Sequence, residues 1–272
     1  MTGVASQALP EYEVYAVRYA TMSRRRAENF LGGDPHDGPM PMDFFVWLIR
    51  DQHRSVLVDT GFSAEMAARR RRDFIACPVE RLERLGVMPG QIRDVVLTHL
   101  HYDHAGNLAK VPGARLHVQD DELDYATGRC MCHASLRHAY EVEDVVSMVR
   151  RVYEELVVFH DGDAPLYPGI ELLKIGGHTK GLQAVRVHTR RGWVVLASDA
   201  SHFYENMDEG RPFPIVFNVA DMLAGHQRLR EAVAGPDYVV PGHDPQVLRR
   251  YPAYPGEPDI VMLHEMPEPF GS

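Results

Sequence analysis

The sequence is poor in the features that mark several large classes of protein. It has three cysteines, Cys77, Cys130 and Cys132, in 272 residues. The number is odd, and Cys130 and Cys132 stand too close for an ordinary disulfide to form easily. That is the usage of a reducing compartment, not of a stapled secreted module. No apolar run approaches the ~18 residues needed to span a bilayer. The opening MTGVASQALPEYEVY has neither a basic start nor an apolar core, so no signal peptide is expected. Basic charge is in deficit: 29 Lys and Arg face 38 Asp and Glu, a formal net charge of −9. Phosphate backbones call for a basic face, so this balance argues against nucleic acid as a main partner. The expectation is a cytoplasmic protein that takes a small-molecule substrate and binds neither nucleic acid nor membrane, with a homo-oligomer left open.

What is present is ordinary globular composition, 45% hydrophobic and 25% charged. A chain of this length buries most of its apolar surface without staples, and residues 1–272 are read as a single domain. Apolar, β-branched runs predict strands at 13–20, 44–49, 55–59, 94–98, 115–118, 156–159, 170–175, 184–188, 193–197 and 238–240. Helical spacing predicts helices at 78–85, 134–153 and 218–233. Many strands with few intervening helices do not make a doubly wound parallel sheet. They suit two mostly antiparallel sheets packed face to face, with helices outside. Residues 22–42, rich in Gly and Pro, form a connection long enough to be either functional or mobile. The Pro-rich tail 251–272 is expected to run along the surface. The arginine runs Arg24–Arg26 and Arg69–Arg72 read as solvated faces, with an electrostatic role near a site mouth as the alternative.

The sharpest chemical signal is His99-Leu100-His101-Tyr102-Asp103-His104. The chance of such an H-x-H-x-D-H pattern arising at random in this chain is about 0.003. The motif begins where a buried strand ends, and residues two apart in extended chain point the same way. His99, His101 and Asp103 are therefore expected to project into one cavity, with His104 at the turn. Imidazole and carboxylate suit zinc, iron or manganese. Four candidate ligands in six residues exceed the three that one open catalytic site uses, which points to two divalent metal ions, zinc first, with iron or manganese as alternatives. Three further positions fit: His178 after Gly176-Gly177, Asp199 after Ser198, and His243 after Pro241-Gly242. Each follows an apolar strand with small residues beside it.

With these motifs the sequence resembles the metallo-β-lactamase superfamily, over roughly Phe44 to His243. Val58-Asp59-Thr60-Gly61 matches a strand-end Asp turn common in that family. The resemblance implies a four-layer αβ/βα sandwich with the site at one edge of the sheets. It also implies that His99, His101 and His178 hold one metal, that Asp103, His104 and His243 hold the second, and that Asp199 bridges both. Asp rather than Cys at 199 argues against the zinc β-lactamases that carry a Cys at the equivalent point. The spacing of Asp199 and His243 and the segment Met42–Trp47 look most like N-acyl homoserine lactonases, the quorum-quenching enzymes, and related small lactonases.

The implied chemistry is opening of a lactone or ester by attack of a metal-bound hydroxide, with Asp103 passing a proton from nucleophile to leaving oxygen. Those lactonases commonly place a Tyr three residues after the bridging Asp. Here His202 stands there, and Tyr204 is the nearest Tyr. Tyr204 is the first candidate oxyanion donor and His202 the second; packing at the rim is the alternative for Tyr204. Met40, Met42, Phe44 and Phe45 are candidates for an apolar pocket, though core packing explains the two Phe equally well. Three rivals remain. A thioesterase like glyoxalase II, or an aryl-ester or cyclic-amide hydrolase, would use the same scaffold. Flavodiiron chemistry would put Glu where His101 stands and add a flavin domain, and this chain has neither. A binding protein that has lost catalysis sits poorly with seven filled ligand positions.

Overall fold

The computed structural model describes residues 8–270. The first seven residues of the segment read above as free of a signal peptide lie outside the described residues. Fourteen strands are seen among the described residues. They are β1 (Glu13–Met22), β2 (Met42–Arg50), β3 (Ser55–Val58), β4 (Asp73–Phe74), β5 (Asp94–Val96), β6 (Arg115–Gln119) and β7 (Val157–His160), then β8 (Ala164–Tyr167), β9 (Ile170–Lys174), β10 (Gln183–Thr189), β11 (Gly192–Ser198), β12 (Val239–Pro241), β13 (Ala253–Tyr254) and β14 (Glu257–Met262). The first sheet runs β13-β14-β1-β2-β3-β5-β6-β7, with β4 beside β1; the second runs β12-β11-β10-β9-β8. Both sheets are mixed. Most pairings are antiparallel, but β3, β5, β6 and β7 are mutually parallel, as are β11 and β12. The helices between β3 and β7 supply the crossovers that parallel pairing requires.

Strand β2 shows why the layers form. Every residue of Met42–Ile49 is buried, and successive side chains alternate between faces. Phe44, Val46 and Leu48 join the helix-side core with Val79, Leu82 and Met148. Phe45, Trp47 and Ile49 face the second sheet and pack among Leu172, Val185 and Leu196. The outer face of the second sheet is covered in turn, with Ala184 and Val195 packing under Met207 and Leu229. Helix, sheet, sheet, helix is the four-layer order expected.

Two sequence expectations need correction, and a third is narrowed. The helix read at 134–153 is two helices, Ala134–Arg137 and Val142–Tyr153. It breaks because Ala139 and Tyr140 are buried and used elsewhere: the Ala139 carbonyl accepts from Tyr102 N at 2.9 Å and the Tyr140 hydroxyl donates to Glu122 at 2.9 Å. The Pro-rich tail is not merely a surface strand of chain. It returns as β14, paired antiparallel with β1 from Val17↔Ile260 to Tyr15↔Met262, where Ile260 and Val261 are fully buried. Of the two readings of the connection 22–42, functional or mobile, its contacts disfavour the mobile one. Phe30 is fully buried, Asp34 takes both Arg26 and Arg211, and Arg26 also pairs with Glu205.

Candidate metal centre

The seven expected ligands come together at the C-terminal ends of strands from both sheets. His99, His101, Asp103 and His104 follow β5 of the first sheet; His178 follows β9, Asp199 follows β11 and His243 follows β12 of the second. All seven are buried. The convergence of the first four differs from the expected alternation. Strand β5 ends at Val96, and Tyr102–Ala105 is a short helical turn with His101 at its N-cap. The turn, not extended chain, therefore swings Asp103 and His104 inward. Two glycines allow the close approach. A Cβ on Gly242 would sit 2.7 Å from the Ser198 carbonyl oxygen and 3.0 Å from Asp199 Oδ1, and one on Gly177 would sit 2.5 Å from Met222 N.

The ring nitrogens are oriented from behind. His178 Nδ1 donates to the Ile215 carbonyl at 2.6 Å, His243 Nδ1 to the Asp43 carbonyl at 2.8 Å, and His104 Nδ1 to Asp59 Oδ2 at 2.7 Å. Each therefore turns its Nε2 to the interior. His178 Nε2 lies 3.2 Å from His99 Nε2 and 3.0 Å from His101 Nδ1. His243 Nε2 and His104 Nε2 lie 3.0 and 3.3 Å from Asp199 Oδ1, and His178 Nε2 lies 3.3 Å from Asp199 Oδ2. Asp103 is 3.9 Å from His104 and 4.0 Å from His243. His104 Nε2 and Asp199 Oδ1 are buried, and neither meets a partner in well-aligned hydrogen-bond geometry.

These residues fit divalent metal ions. Nitrogen ligands about 2.0–2.1 Å from a tetrahedral metal stand about 3.3 Å apart, close to the spacings seen. Triads able to hold a metal form at His99/His101/His178 and at Asp103/His104/His243, and Asp199 stands with His99 and His104 between them. Burial, helped by neighbouring imidazoles, holds His99 and His101 well below the usual histidine range, so both are neutral, the form that binds metal. Burial alone would raise Asp199, but His243, His104 and His202 outweigh it and keep its carboxyl ionised.

The supporting residues were mostly invisible in the sequence. Asp59, at the family-like turn, takes Thr98 N and Oγ1 at 2.7 Å as well as His104, and holds a left-handed φ of 62°. Glu122 carried no signal among its acidic neighbours Asp120, Asp121 and Asp124. It is fully buried and accepts from Leu100 N at 2.9 Å, Tyr140 Oη at 2.9 Å, Thr179 Oγ1 at 2.5 Å and Gly181 N at 3.2 Å. It thus ties the loop carrying His99 and His101 to the loop carrying His178.

A cavity of about 270 Å³ opens over the cluster, with Met42 and Phe44 in its wall. Phe45 is turned between the sheets and Met40 lines a neighbouring cavity. His202 lines the metal cavity, stacked on Phe213 at 3.4 Å between ring centroids. Its Nε2 lies 2.9 Å from Asp199 Oδ2. Burial pushes its pKa down to about 3, so the ring is neutral. With the proton on Nε2, Nδ1 offers a lone pair rather than a donor. Tyr204 lines the neighbouring cavity of about 580 Å³, packed on Phe270 and Arg250. The oxyanion-donor role expected of Tyr204 therefore finds no support in its placement, because the chain turns into the helix Tyr204–Asp208 and carries the ring away.

A family model described as the metallo-beta-lactamase superfamily matches residues 45–243. The chain belongs to the metallo-beta-lactamase superfamily. An N-acyl homoserine lactonase from Bacillus sp is 28% identical over 233 residues, covering 79% of this chain and 87% of the relative. The crystal structure of a quorum-quenching N-acyl homoserine lactone lactonase superposes with a TM-score of 0.72 at 24% identity, covering 88% of this chain and 95% of that one. An N-acyl homoserine lactone hydrolase with the product N-hexanoyl-L-homoserine bound at its catalytic metal center gives 0.71 at 23% identity, over 87% and 95%. Superfamily membership accounts for the sandwich and for a His and Asp cluster at the strand ends. No helix among the described residues is long and apolar enough to cross a membrane.

Proposed function

We propose that this chain is a dinuclear metal-dependent hydrolase that opens a lactone or carboxylic ester, in line with the names of its N-acyl homoserine lactonase relatives. The observation that carries the reading is the buried cluster of candidate ligands in two halves meeting at Asp199, whose Oδ1 lies 3.0 Å from His243 Nε2 and 3.3 Å from His104 Nε2. His99, His101 and His178 would hold one metal, Asp103, His104 and His243 the other, and Asp199 both. Zinc is the metal proposed. Bound there, divalent metals would supply Lewis acidity at the ester carbonyl and would lower the pKa of water towards ~7.

The chain's own groups do the rest. Asp103 lines the cavity and its carboxylate receives no hydrogen bond among the described residues. It is placed to accept the proton released as water attacks and to deliver it to the leaving alkoxide oxygen. His202 donates to Asp199 and fixes its orientation. Asp59 and the carbonyls of Asp43 and Ile215 hold three imidazoles in one tautomer each, so no reorganisation is needed during reaction.

Elemental analysis of the purified protein is expected to find about two metals per chain, and Asp199→Ala to lose one or both. A panel of acyl homoserine lactones, aryl esters, thioesters and β-lactams should show lactone or ester turnover. Full activity with one metal would overturn the dinuclear reading, and a clear preference for thioesters would move the assignment to a thioesterase.

A further inference from the structure

Arg24, Arg70 and Arg72 all line the cavity over the metal cluster, and their electrostatic states differ. Arg70 is satisfied: Glu141 Oε1 accepts from its Nε at 3.1 Å and its Nη2 at 2.6 Å. Arg24 and Arg72 have no carboxylate partner among the described residues. Arg24 Nη2 donates to the Glu28 carbonyl at 2.8 Å and its Nη1 to the Met42 sulfur, a weak acceptor, at 3.9 Å. Arg72 spends Nε on the Tyr102 hydroxyl at 3.0 Å and Nη1 on the Arg70 carbonyl at 2.7 Å. Its Nη2 has no acceptor among the described residues. Both side chains are half-buried. Burial and, despite Glu28, the charge of Arg72 lower the Arg24 pKa. Two guanidinium groups that repel each other, half out of water and unpaired, are a cost to the free protein that a bound anion removes. Guanidinium donors in a fixed fork match an oxyanion well. At about 270 Å³ the cavity also falls below the ~300–1,000 Å³ usual for larger ligands.

We propose, on the hydrolase reading of this same cavity, that the substrate is a short ester or lactone carrying a carboxylate or phosphate away from the scissile bond, and that Arg24 and Arg72 bind that oxyanion. The pair would then set specificity against neutral acyl chains, while the His and Asp cluster serves any ester that enters.

The test compares phenyl heptanoate with the monophenyl ester of adipic acid and with a phosphonate counterpart, using the metal-loaded protein. The anionic esters should exceed the neutral one in kcat/KM by on the order of tenfold or more, as charge-assisted hydrogen bonds allow. The better of the two names the oxyanion. Arg24→Gln and Arg72→Gln should each lower that ratio, chiefly through KM, and added salt should lower it further. Arg72 also packs on Tyr102, so Arg24→Gln serves as the independent arm if Arg72→Gln fails to fold. A wild-type ratio near one, or a ratio that survives both substitutions because the anion sits on the metals, overturns the proposal. If no ester is hydrolysed, the hydrolase reading fails, and calorimetry with adipic acid monoanilide against heptananilide still decides. Arginine-dependent preference for the monoanilide upholds the anion site, and equal binding removes it.

Discussion

Tyr204 and His202 lie two residues apart and face different cavities, so single substitutions should separate them cleanly. Tyr204→Phe removes a hydroxyl outside the metal cavity, and kcat should change less than about threefold. A loss of 10²–10³, typical of a deleted oxyanion donor, would return the residue to the chemistry. His202→Ala leaves Asp199 without one of its anchors, and reduced metal retention by elemental analysis is the expected result. Glu122 carries the largest structural stake. Glu122→Ala strands four buried donors at ~1–3 kcal/mol each before relaxation, so chemical denaturation should show a loss on the order of 4 kcal/mol, with metal content falling in parallel. Unchanged stability would mean that the two loops hold themselves. The candidate ligands stand out in the sequence because ligation needs rare residue types at set positions. Glu122 is another acid on an acidic helix, and Arg24 and Arg72 are members of arginine runs. What distinguishes them is which group they face, and that is a property of packing between distant segments.

Among the elements, the ten strands read from apolar runs are all present, within a few residues at each end. Those that escaped notice, β4, β8, β13 and β14, are short, contain proline or lie in the Pro-rich tail, where hydrophobic periodicity is weak. The broken helix at 138–141 escaped for a different reason. Its amphipathic pattern continues across the break, and only tertiary hydrogen bonds interrupt it. Strand β5 links two ends of the fold. Its C-terminal end feeds the ligand motif, and Asp94 at its N-terminal end accepts from His117 at 2.9 Å on β6 and from Tyr167 at 2.8 Å on β8 of the opposite sheet. Burial works to raise the Asp94 pKa, but His117, Tyr167 and Arg115 outweigh it and hold it below the usual carboxylate value. A depressed folded pKa gives stability that is present above the unfolded value near 3.8 and is lost as pH falls through the folded value. Asp94→Asn should therefore flatten the fall in stability below about pH 4, and Tyr167→Phe should cost about 1 kcal/mol at neutral pH. An unchanged acid limb in urea titrations of Asp94→Asn would assign acid sensitivity to other carboxylates.

At the scale of the whole molecule, the proposed ligands come from both sheets, so bound metal would clamp the strand ends of one sheet to those of the other. Stripping it with a chelator should lower Tm on the order of 5–10 °C, given ~2.7 kcal/mol of linkage at a hundredfold excess over Kd. An unaltered melting curve would mean that imidazole and carboxylate contacts suffice to close that edge. The pairing of β14 with β1 sets a different constraint, one of order in time. During synthesis β1 is the first described strand to leave the ribosome and β14 the last. Until β14 arrives, the flank of β1 that it covers presents open backbone groups, the kind of edge that recruits a strand from another chain. That flank of the first sheet is therefore sealed only by the last strand to emerge, and until then a nascent chain carries an edge open to mispairing.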